Sequence, residues 1–199
     1  MNKKIIINNN LDYQKFLKKL NFYKYMYLTD YNIENNINKK ELDIIIKALS
    51  IKKRKERIAY LYDEGAKYID KYYSEDLCQF KDNKCFVQRK RNDGSKYGCC
   101  RYCKYVISNK GCPTSNISCK MIYCKEALKN IKKLKLSDID FFKRFSIFQR
   151  IILKIDYCST RDQVINDLYY GPIYWLIRSI KKGIDVQIKS SKIKKGIEW

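Results

Sequence analysis

The chain has 199 residues and a mass of 24.0 kDa, enough to bury a core as one domain or two small ones. Hydrophobic residues make up 45% and aromatic residues 14%, with only seven Gly and two Pro, so neither a disordered nor a low-complexity chain is expected. There is no histidine, which excludes imidazole-based catalysis and His-ligated metal sites, and the formal charge of +22 favours a polyanionic partner, nucleic acid before a membrane surface.

The expected fold is mainly α, with helical flanks around a Cys-rich, metal-stabilised insert of short β-hairpins and knuckles. Four regions follow: a helical N-terminal region (1–77), the insert (78–124), a helical C-terminal region (125–183) and a basic tail (184–199). At the start, Ile5-Ile6-Ile7 behind Lys3-Lys4 is too short for the apolar stretch of a signal peptide. No window approaches the ~18 apolar residues of a membrane span. The expectation is a cytoplasmic protein without a span, hence reduced cysteines that serve as metal ligands sooner than as disulfides.

Residues 11–28 place Leu11, Phe16, Leu17, Leu20 and Tyr23 at helical spacing, and the Asn-rich stretch 30–38 reads as a loop. A second helix is predicted over 40–50, with Leu42, Ile45, Ile46 and Leu49 on one stripe. A third covers 52–73, burying Ile58, Leu61, Tyr62, Ala66, Tyr68, Ile69 and Tyr72. Gly65 costs that helix about 1 kcal/mol relative to Ala. Helical pattern returns over 121–134, with Cys124 near its start. Ser137-Asp138-Ile139-Asp140 then reads as the cap of a helix burying Ile139, Phe142, Phe145, Phe148 or Ile152, and Ile155. Thr160–Gln163 is a capping box for a helix through Leu168. Gly171-Pro172 opens a last helix with the stripe Ile173, Leu176, Ile177 and Ile180, ended by Gly183. The following IDVQIK suits a short strand or a frayed end.

Eight of the nine cysteines fall within 47 residues, spaced Cys78-x6-Cys85-x13-Cys99-Cys100-x2-Cys103-x8-Cys112-x6-Cys119-x4-Cys124. Four thiolates around one ion suit zinc or an iron–sulfur centre, and eight divide into two such sites. Neighbouring side chains diverge along an extended chain, so Cys99 and Cys100 go to different ions. One partition is Cys78, Cys85, Cys99 and Cys124 for the first, and Cys100, Cys103, Cys112 and Cys119 for the second. Bacterial and plant ferredoxin spacings are absent, which favours two structural zinc ions, with an iron–sulfur cluster as the alternative. Cys158 stands apart and reads as a core residue.

The string C-x-F-x4-C-x-V from Cys78 to Val87 resembles part of the bacterial zinc- or iron-chelating cysteine-cluster proteins, over about ten residues. The resemblance implies that Cys78 and Cys85 are metal ligands.

The insert carries ten basic and two acidic residues, the largest excess of the four regions. Arg89, Lys90, Arg91, Arg101, Lys104 and Lys110 lie among Phe80, Phe86, Tyr97, Tyr102 and Tyr105, an interleaving that suits stacking on single-stranded nucleic acid or RNA. The aromatics serve equally as covers for the metal sites, and AT-rich codon usage also supplies lysine. A second basic element, Lys52-Lys53-Arg54-Lys55-Glu56-Arg57, opens the third helix, where cations oppose the helix dipole; a phosphate backbone is one candidate to offset this, and a freely solvated helix end is the commoner explanation. Closed four-cysteine sites leave no position for substrate, and no P-loop, dinucleotide fingerprint or radical-SAM spacing is present. Binding is therefore favoured over catalysis. A redox role for an iron–sulfur centre and a zinc-stabilised protein-interaction or metal-handling module are the alternatives.

Overall fold

The computed structural model describes residues 3–23, 31–73, 89, 116–122, 132–157 and 159–194. In chain order they form strand β1 (Lys3–Ile7), helix α1 (Asn10–Tyr23), strand β2 (Tyr31–Asn35), and helices α2 (Lys40–Ser50) and α3 (Arg54–Tyr72). A short helix α4 (Ile117–Lys120) and two 3-10 turns (Leu136–Asp138, Asp140–Arg144) lead to α5 (Ile147–Ile155), α6 (Arg161–Tyr170) and α7 (Pro172–Lys194). The described residues are mainly helical, with a small two-stranded sheet. Among the described residues no helix is long and apolar enough to cross a membrane.

The sheet is a correction, because 30–38 was expected to be a loop. β1 and β2 pair in parallel, from Lys3 opposite Tyr31 to Ile7 opposite Asn35, with α1 within the crossover that parallel strands require. Ile33 sits opposite Ile5, both packed on the core, and is the one apolar residue of Tyr31–Asn35 besides Tyr31. Backbone pairing with a distant strand makes this element, and a five-residue window carries no trace of it. Within α1, Tyr13 takes the buried place expected of Leu11, which is exposed, and the Tyr13 hydroxyl donates to Asp140 Oδ2 at 2.9 Å.

Helices α2 and α3 follow the apolar spacing. Leu42, Ile45 and Leu49 of α2 are buried, as are Ile58, Leu61, Tyr62, Ala66 and Ile69 of α3. Tyr68 is half-buried and Tyr72 exposed. α3 runs unbroken through Gly65 because the ring of Phe142 occupies the space a side chain would need. A Cβ there would stand 2.2 Å from Phe142 Cζ and 2.5 Å from Cε1. Gly65→Ala is therefore expected to lower stability by about 1–3 kcal/mol through overpacking, despite its better helix propensity. Urea unfolding checks it, and a neutral or stabilising result would show that Phe142 yields without cost.

Between Leu136 and Arg144 the expected helix gives way to 3-10 turns. Ile139, Phe141, Phe142 and Phe145 are all buried, and the rings of Phe141 and Phe142 meet edge-on at 5.1 Å. An α-helix would turn one of these positions toward solvent; the tighter turns bury all four. The helix proper starts at Ile147, where Ser146 and Gln149 form a capping box, and Ile152 and Leu153 are buried while Phe148 and Ile155 are exposed. The predicted helix over 121–134 is also corrected at both ends. Met121 is the C-cap of α4, and 132–135 is irregular; Cys124 lies outside the described residues.

The Thr160–Gln163 box forms as expected, with Gln163 N donating to Thr160 Oγ1 and Thr160 N to Gln163 Oε1. α7 begins at Pro172, after Gly171 at φ 96°, but it passes Gly183 and continues to Lys194, so the tail through Lys194 is helix, not strand. An exposed helical Gly costs about 1 kcal/mol, too little to end a helix of this length. Its expected core stripe is exposed: Ile173, Leu176, Ile177 and Ile180 all face away. The partly buried face is instead Trp175, Arg178, Ser179 and Lys182. The ion pairs of Arg178, with Trp175 packed on the core beside them, decide which side of α7 docks.

Candidate metal anchor and nucleic-acid interface

Of the eight clustered cysteines, Cys119 lies among the described residues; Cys78, Cys85, Cys99, Cys100, Cys103, Cys112 and Cys124 lie outside them, as does Cys158. Lys90, Arg91, Arg101, Lys104 and Lys110 also lie outside, and Arg89 is described only as an exposed helical residue. Among the described residues no group of three or more Cys, Asp or Glu is placed to hold a metal ion.

Cys119 has a rigid mount. It lies on α4, in a stretch expected to be knuckle or hairpin, because Asn116 is a helix cap whose Oδ1 accepts from Cys119 N at 2.9 Å. The other end of the same Asn116 amide donates to the carbonyls of Asp156 (2.9 Å) and Ser159 (3.0 Å), and Ser118 Oγ donates to Leu153 O at 2.6 Å. Ile117 N donates to the Tyr62 hydroxyl at 3.2 Å, and Lys120 pairs with Asp70. Burial of Tyr62 raises its pKa, so the hydroxyl stays protonated. The backbone of Cys119 is thus tied to α3, α5 and the turn before α6, while the residue itself is half-buried. A thiolate fixed in this way would orient a metal site against the helical core.

The basic start of α3 has an answer to its unfavourable dipole. Lys53 pairs with Glu56 at 3.0 Å, Arg57 Nη1 donates to Ile51 O at 3.1 Å, and the Arg54 guanidinium lies over the Tyr169 ring at 5.4 Å. Lys52 and Lys55 are exposed. Behind this turn stands Arg144, which the sequence reading missed. It is 6% exposed, and its Nε and Nη1 find no hydrogen-bond partner among the described residues. Desolvation, then the charge of Arg57, pushes its pKa down to about 10. A legible signal existed: an arginine inside the aromatic run Phe141-Phe142-Lys143-Arg144-Phe145 has few routes to solvent.

A third charged group was also missed. Arg178 of α7 donates through Nε to Asp167 Oδ1 (2.9 Å) and through Nη2 to Asp156 Oδ1 (2.8 Å), and Nη2 also contacts Asp167 Oδ2. Both carboxylates are buried. Desolvation raises the pKa of Asp167 to about 6, with the adjacent Asp156 adding to the rise and Arg178 opposing it. Ser159 Oγ donates to Asp156 Oδ1 at 2.6 Å, which ties this cluster to the same turn that holds Asn116. The arrangement is architectural: it clamps α7 to α5 and α6. No family model matches the chain, and no curated protein or solved structure matches it.

Proposed function

We propose that this protein binds nucleic acid, single-stranded or RNA, through a basic surface, and that its Cys-rich segment is stabilised by two zinc ions. The observation that carries the binding half is the start of α3. There, five cations in six residues, Lys52 to Arg57, are presented on a rigid helix end whose backbone dipole adds to their field. The overall charge and the ten basic residues of 78–124 support the same reading. The metal half rests on the eight clustered cysteines, on the resemblance of Cys78–Val87 to zinc- or iron-chelating cysteine clusters, and on the immobilised backbone of Cys119.

Phosphate contacts release counterions, so affinity for a single-stranded oligonucleotide should fall steeply with salt, each contact adding about 0.7 to the log–log slope. Replacing Lys52, Lys53 and Lys55 together by Gln, or Arg89, Lys90 and Arg91 together by Gln, is expected to weaken binding and flatten the slope. Replacing Lys192, Lys194 and Lys195 is the equal-charge control and should do much less. Equal losses in all three variants would reduce the interaction to net charge. Absence of binding at physiological salt would move the reading to a protein-interaction or metal-handling role.

A further inference from the structure

We infer that the outward faces of α5 and α7 together form a surface that docks on an anionic lipid bilayer, lying on it without crossing it. The two helices run side by side in the same direction. At one end Phe148 and Pro172 wall the same small cavity, and at the other Lys182 Nζ donates to the carbonyl of Tyr157. Between these ends Arg178 pairs with Asp156, the C-cap of α5. On α7, Ile173, Leu176, Ile177, Ile180 and Ile184 are all more than half exposed. On α5, Ile147 and Phe148 are more than half exposed, and Ile151 and Ile155 are exposed beside them.

The helical repeat puts the α7 stripe half a turn from its docked side, where Trp175, Arg178, Ser179 and Lys182 face the body of the protein. The helix is thus the reverse of one that faces water. Its paired charge is turned inward and its aliphatic surface outward. Apolar residues scattered singly over a surface need no explanation, but a set shared by two adjoining helices marks a contact.

Charge and side-chain type select a bilayer as the occupant. α5 holds Arg150 and Lys154 and no acid; α7 holds six basic residues and Asp185 alone. Arg150, Lys154 and Lys181 form no ion pair among the described residues. Each lies three or four positions from an exposed isoleucine: Arg150 from Ile147, Lys154 from Ile151 and Lys181 from Ile177. Apolar surface edged by unpaired cations complements acyl chains beneath an anionic headgroup layer. The adjoining rings of Tyr170 and Tyr174, 4.9 Å apart and both exposed, suit the level between the two. A second copy of the chain would set the same cations against one another across a two-fold axis, on a protein of charge +22. A protein partner is gripped by aromatic and arginine anchors seated in pockets, whereas seven of these nine exposed side chains are isoleucine. A fluid acyl layer asks for no such fit.

The test uses the full, metal-loaded chain, sedimented with vesicles at physiological salt. The protein is expected to bind vesicles of equal parts phosphatidylcholine and phosphatidylglycerol, and to bind pure phosphatidylcholine far more weakly. Ile177→Gln with Ile180→Gln keeps every charge and should weaken binding to the mixed vesicles by roughly tenfold or more. Lys154→Gln with Lys181→Gln should weaken it by about 30-fold. Ile6→Gln with Leu11→Gln, at exposed positions of β1 and α1, is the control and should leave it unchanged. All six positions are exposed, so circular dichroism and melting should match the unmodified protein. Absence of binding to the mixed vesicles overturns the docking face. Equal binding by the isoleucine pair and the unmodified protein also overturns it, by reducing the attraction to charge alone. A dimer at sedimentation equilibrium that the isoleucine pair disperses, without vesicle binding, would give the face to a second copy instead. The oligonucleotide titration above reads the start of α3 and residues 78–124, so the two readings stand or fall separately.

Discussion

Replacing Arg178 with methionine is expected to lower the free energy of unfolding by about 3–5 kcal/mol, the scale on which removing one partner of a buried ion pair acts. Asp156 and Asp167 are 3% and 0% exposed, and Arg178 is the cation that both carboxylates face. Apolar burial offers little in its place, because Ile173, Leu176, Ile177 and Ile180 point away from the body of the protein and Trp175 is the large apolar side chain of α7 that packs on the core among the described residues. The loss should also depend on pH. Asp167 already takes up its proton near pH 6 in the folded state against 3.8 for the ordinary side chain, and losing Arg178 raises that value further. The folded variant then binds a proton more tightly than the unfolded chain, so acidification from pH 7 toward 4 favours folding at this residue. The deficit of the variant should shrink across that window. Urea unfolding of both proteins at pH 7 and pH 5 reads this directly. A deficit under about 1 kcal/mol, the scale of an exposed pair, would mean that α7 is held by something other than this charge cluster.

The helices that were legible owe it to local rules. α2 and α3 repeat apolar residues at helical spacing, Thr160 and Gln163 cap each other three residues apart, and Gly171-Pro172 restarts the chain. What was not legible depends on distance in sequence. Tyr31–Asn35 is a strand because Lys3–Ile7 lies beside it. Phe141 and Phe142 leave the α-helix because both rings find room in the core, one of them over Gly65. The apolar stripe of α7 misled because a salt-bridged arginine on the other face docks the helix. The candidate sites divide in the same way. Cysteine clustering is visible in one dimension, whereas the burial of Arg144 beside Arg57, far apart in sequence, appears only in the fold.

Chelation is expected to have the other large effect, and a confined one. Structural zinc sites contribute about 10–16 kcal/mol of binding free energy in small metal-folded peptides, and this energy is available only to the segment that holds the ligands. Residues 78–112 and Cys124 supply seven of the eight proposed thiolates, while the buried residues of α1, α2, α3, α5 and α6 pack together through apolar contacts that need no metal. Metal removal should therefore expose 78–112 to protease and leave most of the helical circular dichroism intact. α4 should stay with the core, because Asn116 and Ser118 anchor it through bonds to Asp156, Ser159 and Leu153. Elemental analysis of the native protein should find about two zinc ions per chain, the number that two closed four-thiolate sites require. Cys119→Ser should reduce this to about one without melting the helices, since its mount does not involve the sulfur. Cys158→Ser should leave the metal content unchanged. Unaltered proteolysis after verified metal loss would show that the cysteines are not structural ligands. Iron with sulfide and a brown protein would put an iron–sulfur cluster in place of zinc, held by the same thiolates.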